Sequence, residues 1–369
     1  MKHLIIRSLA IALFGFIPTQ VLAVEFAVVG PRAAGMGGAG VAVTTDALAT
    51  YWNPAGLAMT QTADIRIQAT AQGVDRLGIR ETLNDIKNFQ GGNAATAQAL
   101  ADRINGGTIS AAAAGGLYLK GHLGDHAFGF NVSDVATGGA FVDPSRRFGV
   151  TGANNVQGTF LIRGLEARQA SFSYAYAFAD KTFAIGITAK AIQGAAYAGS
   201  TTVQGGQKAD LQDHLGRGQY TTAFGVDIGA VYRPVSWLRF GVVAKDINQP
   251  EFDAPDGTRF KMLPQVRGGV ALNPYSSLTL TADMDATSNK TFVPGIKSQV
   301  LSVGAEQTIL NEFLSLRVGA FKNVQDAASI ITPTAGLGIR IFAFRLDLGG
   351  GYDFRERSAL ASGSLSLTF

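Results

Sequence analysis

Strand-like stretches in this chain are joined by connections that alternate between long and short, and few folds accommodate that order. Residues 72–109, 135–165, 194–219 and 249–262 form long connections, whereas 121–125, 180–181, 233–236 and 273–276 are tight. Hairpins joined in this sequence place every long connection at one end of a sheet and every tight turn at the other. A soluble sandwich has no reason to sort its loops so. Counting the stretches between connections gives about 14 strands, an even number that suits a closed single-chain barrel. The join at 341–344 carries no Gly, Pro or Asn, so that turn rests on alternation alone.

Within the stretches the side chains alternate with a period of two. Ile65, Ile67 and Ala69 oppose Asp64, Arg66 and Gln68; Phe172, Tyr174, Tyr176 and Phe178 oppose Ser171, Ser173, Ala175 and Ala177; Leu238, Phe240, Val242 and Ala244 oppose Arg239, Gly241 and Lys245. Alternation alone does not say whether the apolar face points to a core or to lipid. Composition leans towards lipid: 16% of residues are charged and 46 are Gly, where a soluble domain carries about 25% charge. The expected fold is therefore all-β: a transmembrane antiparallel β-barrel over residues 62–369, with an N-terminal segment lodged in its lumen. Residues 81–104 break the rhythm and predict one or two short helices interrupted at Gly91-Gly92.

Residues 1–23 carry Lys2 and Arg7, then an apolar run and Val21-Leu22-Ala23, the pattern of a cleaved export signal. No later stretch reaches the roughly 20 apolar residues of a helical span. The formal charge of +4 argues for no nucleic-acid partner, and the absence of Cys removes disulfides, thiolate metal sites and Cys nucleophiles. A hydrolase would need His beside Ser, yet after the signal only His122, His126 and His214 remain. His122 and His126 flank a tight turn, so no metal, no cofactor and no enzymatic activity are expected.

Residues 24–61 are the expected plug. Gly35, Gly37, Gly38 and Gly40, among small Ala residues, permit close backbone approach, and Pro54 in Asn53-Pro54-Ala55 forces a turn. Gly35-x-Gly37-x-x-Gly40 fits a dinucleotide fingerprint, but no strand precedes it and no βαβ unit contains it. If the apolar strand faces meet lipid, the lumen receives Asp64, Arg66, Asp227, Arg239, Lys245, Arg267, Asp283, Asp285, Glu306, Arg317, Arg340, Arg345 and Asp347. Both signs occur, and buried charges must pair, so these residues are expected to form a network gripping the plug.

The run Gly30-Pro31-Arg32-Ala33-Ala34-Gly35-Met36-Gly37-Gly38-Ala39-Gly40 through Tyr51-Trp52-Asn53-Pro54-Ala55-Gly56-Leu57 resembles the N-terminal plug of the FadL outer-membrane family, and most closely its PorV-like and TraF-type conjugal-transfer branch. The resemblance implies a bacterial outer-membrane location, in contact with lipid and lipopolysaccharide, and passage of hydrophobic small molecules such as fatty acids or aromatic hydrocarbons. In that family the solute is caught by outer loops and leaves sideways through the wall. Candidate contacts are then Val28, Val29, Tyr51 and Trp52 of the plug and Phe141, Phe148, Phe160, Leu161 and Ile162 of the 135–165 connection. The branch also implies an alternative, a non-transporting scaffold or assembly partner for secretion or conjugation proteins. The last strand, with Leu365, Leu367 and terminal Phe369 alternating with Ser364, Ser366 and Thr368, resembles the segment that the outer-membrane barrel assembly machinery engages.

Overall fold

Fourteen alternating stretches pair into one closed sheet in a computed structural model of the chain, which describes residues 27–207, 215–326, 329–354 and 357–369. The export signal expected at 1–23 lies outside the described residues, as does His214. In order, the strands are β1 Asp64–Arg76, β2 Thr108–Leu123, β3 His126–Val142, β4 Asn155–Phe178, β5 Phe183–Gln204, β6 Thr221–Val235 and β7 Leu238–Lys245. They continue as β8 Gln265–Tyr275, β9 Leu278–Asp285, β10 Val300–Ile309, β11 Leu314–Asn323, β12 Thr332–Ile341, β13 Phe344–Asp353 and β14 Ser358–Thr368. Each pairs antiparallel with the next, and β14 closes onto β1 from Asp64↔Thr368 to Gly73↔Ala359. Closure leaves the barrel wall without an open edge.

The wall is inverted relative to a soluble protein. Ile67 is 62% exposed and Phe172 53%, while Asp64, Ser173 and Arg317 are at most 2% exposed. In water each such apolar side chain would forgo about 1.5–3 kcal/mol of burial, a penalty that a bilayer removes. Apolar faces thus point outward to lipid, and polar faces point into the lumen.

Short turns gather at one rim, including 342–343, where Ile341 and Phe344 end their strands as alternation indicates. Phe342 there adopts φ 54° and is 93% exposed. At the other rim the predicted helical region resolves into α3 and α4, after two short lumenal helices, α1 Pro31–Gly35 and α2 Ala49–Trp52. α3 spans Ile79–Asn88 and α4 spans Ala94–Ile104, the second started by the Asn93 side chain accepting from Thr96 N at 3.1 Å. Their apolar faces, with Ile86, Leu100 and Ile104, pack against Phe148, Val156, Phe160 and Val203.

Two expected loops are largely strand instead. β3 runs on to Val142 and β4 begins at Asn155, so most of 135–165 is a paired ladder; β5 likewise extends through 194–204. These stretches are rich in Gly, Ala and Thr on both faces, which erases the apolar-polar contrast while leaving the backbone free to pair. The 249–262 connection holds a small hairpin, Glu251–Asp253 with Arg259–Lys261, whose Phe252 and Phe260 pack on Leu165 and Ile192.

Candidate functional site

The polar inner faces converge on residues 27–60, which run through the lumen from mid-barrel to the short-turn rim. α1 lies on the wall at two glycines: a methyl group built on Gly349 would stand 2.9 Å from Gly35 N, and one on Gly35 2.9 Å from Gly336 Cα. Gly37 takes φ 69°, donates its amide to Thr334 Oγ1 at 2.9 Å, and Thr334 donates in turn to Gly35 O at 3.1 Å. A Cβ on Gly37 would meet Val303 O at 2.7 Å, so glycine is demanded by both space and backbone angle.

From Gly40 to Val43 the backbone is gripped by side chains of the wall and of the segment itself. Asp283 Oδ2 accepts from Gly40 N at 2.7 Å and Val41 N at 2.8 Å. Arg239 donates to Ala42 O at 3.3 Å, and Arg32 to Val43 O at 3.0 Å. Asn53 bridges segment and wall: its Nδ2 donates to Val41 O at 3.2 Å and Ala230 O at 3.1 Å, while its Oδ1 accepts from Ala55 N. Pro54 and Ala55 then press on Gly186 of β5, where a methyl would come within 2.5 Å of Ala55 N. Trp52 is fully buried and donates from its indole to Val29 O at 2.8 Å; Tyr51 donates to Ala27 O at 2.8 Å. Lys120 ties the last turn by donating to Thr45 O at 2.7 Å and Thr60 O at 3.0 Å.

Ion pairs fasten this arrangement in three groups. Arg32 of α1 pairs with Glu306, which accepts from Arg317 at 2.7 Å; Arg317 reaches Asp347 at 2.8 Å, and Asp347 also meets Arg345 at 2.9 Å. Arg66 joins the same group through Asp347 at 3.6 Å and brings in Asp64 at 3.3 Å and Asp46 of the segment at 3.1 Å. Across the lumen Lys190 sits between Asp227 and Asp246, and the Lys245 ammonium stands 3.2 Å from the Tyr51 ring centroid. The third group pairs Arg267 with Asp285, whose other oxygen accepts from Val300 N at 2.8 Å.

Of the expected lumen charges, Arg340 lies at the short-turn rim, where it pairs with Glu312 at 2.7 Å and lines the charged vestibule with Arg66 and Arg345. Arg32 and Asp46, which supply the segment's own charges, lie on irregular backbone where no periodicity flags them. Lys120, Lys190 and Asp246 also joined the grip unannounced, although Lys190 sits on the polar face opposite Ile185 and Ile187 and was legible there.

The apolar residues expected to meet a solute are committed to packing. Phe148 and Phe160 stack with centroids 5.3 Å apart beneath α4, Phe141 is buried, and Leu161 and Ile162 are half-buried on β4. Val28, Val29, Tyr51 and Trp52 pack with Ala114, Tyr118 and Val243. Open space lies elsewhere. A groove of about 1160 Å³ runs along the lipid side of the wall, lined by Ala69, Ala71, Ala113, Gly115, Leu337 and Leu348. Inside, a polar cavity of about 160 Å³ lies below the long-loop rim, and a charged vestibule of about 240 Å³ opens around Arg32, Asp46 and Arg345. The inner cavity and the outer groove share the β1–β2–β3 wall, Gln72, Ala112 and Thr137 inside and Ala71, Ala113 and Ala136 outside, with the hydrogen-bond ladder continuous between them.

Residues 50–285 match the family model described as "F plasmid transfer operon, TraF, protein". Among solved structures the chain is similar to a Pseudomonas aeruginosa FadL homologue (12% identity, 95% of this chain and 99% of that one, TM-score 0.58). It is also similar to the CymD monoaromatic hydrocarbon channel (15% identity, 94% and 98%, TM-score 0.55) and to the Ralstonia pickettii toluene transporter TbuX (16% identity, 92% and 97%, TM-score 0.52). At such identities the likeness establishes the fold: a FadL-type barrel of fourteen strands. No curated protein matches the chain.

Proposed function

The chain belongs to the TraF family of the F plasmid transfer operon, and from that membership and its FadL-type barrel we propose that it moves small hydrophobic molecules across the bacterial outer membrane. Residues 27–60 act as the plug, and the solute, of the class of aromatic hydrocarbons or fatty-acid-like compounds, leaves sideways into lipid. The observation that carries this reading is the 1160 Å³ apolar groove on the bilayer side of β1, β2, β12, β13 and β14. At its β12–β13 edge the paired glycines Gly336 and Gly349 put no side chain between the groove and α1 directly behind them. An apolar solute gains nothing from a charged lumen and much from re-entering lipid, so a thin, small-residue wall is where it would pass. In the described state the strand ladder is closed, and passage requires α1 and the adjoining strands to shift together.

The test is uptake of labelled toluene and a labelled fatty acid by cells with and without this gene, and with Gly115→Leu. A side chain at Gly115 projects into the groove and meets nothing closer than 3.6 Å, so the barrel folds and the groove fills. Uptake should fall several-fold in both the deletion and the variant; equal uptake in all three strains refutes the reading.

A second reading, a scaffold for conjugation or secretion proteins, is supported by the packed lumen and by the burial of Phe148, Phe160 and Trp52. It predicts that the deletion impairs plasmid transfer or protein secretion while leaving uptake unchanged. In either case the apolar wall supports contact with lipid and lipopolysaccharide.

A further inference from the structure

The polar cavity below the long-loop rim has a chemistry that neither reading uses. It is enclosed by β1, β2, β11, β12, β14 and the loop 289–298, and its walls are dominated by hydroxyl and amide groups. Ser298, Thr332 and Ser358 each line it while only 5% exposed. None of the three hydroxyls has a hydrogen-bond partner in the protein among the described residues. Gln72 and Ser110 add an amide and a further hydroxyl from β1 and β2, and Phe321 supplies an aromatic flank. The lining charges cancel: Arg76 and Asp326 hold each other through two bonds of 2.7 and 2.9 Å.

Hydroxyls on side chains this little exposed normally bond to protein or to ordered water, because an unmade hydrogen bond is costly. Three that converge unpaired on one cavity are therefore set for a ligand that both donates and accepts. An ion is disfavoured, since the cavity offers no net charge, and a hydrocarbon would strand every hydroxyl it covered. A volume of 160 Å³ equals about five waters at roughly 30 Å³ each, below the ~300 Å³ of drug-sized pockets. We propose that this cavity is a binding site for a small neutral polyol, of triose to hexose size, whose hydroxyls pair with Ser298, Thr332 and Ser358 and whose C–H face lies on Phe321.

The experiment is a calorimetric titration of the full barrel in an amine-oxide detergent, so that no sugar headgroup competes, with myo-inositol, glucose and glycerol, and with toluene as the apolar control. The variants are Thr332→Val, which keeps the side-chain shape, and Thr332→Val with Ser358→Ala. Saturable binding of at least one polyol is expected, weakened at least about tenfold in the double variant. Toluene should not displace it. Absence of saturable polyol binding, affinity unchanged in the double variant, or displacement by toluene each overturns the assignment, the first meaning that the cavity holds only water. Circular dichroism of the variants checks that the barrel is intact. The outcome is independent of hydrocarbon uptake, so failure of one proposal leaves the other standing.

Discussion

Replacing Asp283 by Ala tests whether residues 40–43 are held by the wall as a separable unit. One carboxylate oxygen, on a side chain 1% exposed, accepts from two successive backbone amides, Gly40 and Val41. Alanine leaves both amides buried without an acceptor, and each orphaned donor costs about 1–3 kcal/mol, so docking of this stretch weakens by about 2–6 kcal/mol. At about 1.4 kcal/mol per factor of ten, even the lower figure is a roughly thirtyfold change. Amide exchange read by mass spectrometry on the peptide spanning 36–45 should accelerate by at least that factor. Peptides from β4 and β5, which share the barrel's longest ladder, should keep their protection. Asp283→Asn retains an acceptor oxygen and loses only the charge, so its effect should stay below about tenfold, charge-assisted bonds being about twice as strong as neutral ones. Unchanged exchange at 36–45 in Asp283→Ala refutes the grip. Uniform loss of protection across the wall would instead mean that segment and barrel fold as one body.

Three further substitutions probe the same architecture. Gly37→Ala combines φ 69° with a carbonyl 2.7 Å from the new methyl; it should expose residues 30–45 to protease in detergent while the barrel stays resistant, and intact protein would contradict the packing. Glu306→Gln leaves Arg32 and Arg317 without their shared carboxylate, a loss of about 3–5 kcal/mol for a buried pair; single-channel recording should then detect openings absent from the wild type, and a silent variant would contradict the latch. Phe342→Gly removes an L-residue from φ 54°, where about 1–2 kcal/mol of strain is stored; the urea midpoint of the barrel in lipid should rise or hold, and a clear fall would mean that the exposed ring is an anchor.

How far the chain could be read depended on whether backbone geometry was regular. On the strands, period two separated Ile65 and Ile67 from Asp64 and Arg66, and the order of long and short connections with the low charge content then assigned the first face to lipid and the second to the lumen, where Glu306 and Arg317 pair. The period names a face but not a height: Arg340, of the same parity as Thr334, lies at the rim end of the lumen, where it lines the charged vestibule and pairs with Glu312. Where both faces are small, as at Ala136, Thr137 and Gly138, alternation vanishes and strand was mistaken for loop. The irregular segment offered glycines and a turn but no period, so Arg32 and Asp46 could not be assigned partners without the fold.

The wall records the segment in a way that composition conceals. Inward-facing glycines on successive strands mark its path: Gly186 under Ala55, Gly229 under Asn53 and Pro54, Gly241 under Val41, Gly304 and Gly319 under Met36, Gly336 and Gly349 under α1. At each a side chain would collide with segment backbone or side chain; at Gly241, for example, a methyl would stand 2.7 Å from Val41 O. At most of these positions segment backbone lies directly on wall backbone, so they tolerate little sliding, and interiors packed this closely switch between discrete arrangements rather than deform smoothly. A solute path that needed the whole segment to leave would have to break every one of these contacts, the Arg32–Glu306 and Asp46–Arg66 pairs and the Lys245–Tyr51 contact at once. A path that moves only α1 breaks the contacts at Gly336 and Gly349 and the Arg32–Glu306 pair. The lateral groove begins beside those two glycines, so the smallest rearrangement and the thinnest wall coincide. Thr334→Val removes the hydroxyl that donates to Gly35 O and accepts from Gly37 N, so it should raise uptake if the solute passes beside α1, whereas Asn53→Ala at the far end of the segment should leave uptake unchanged. Uptake unchanged in Thr334→Val would place the exit elsewhere.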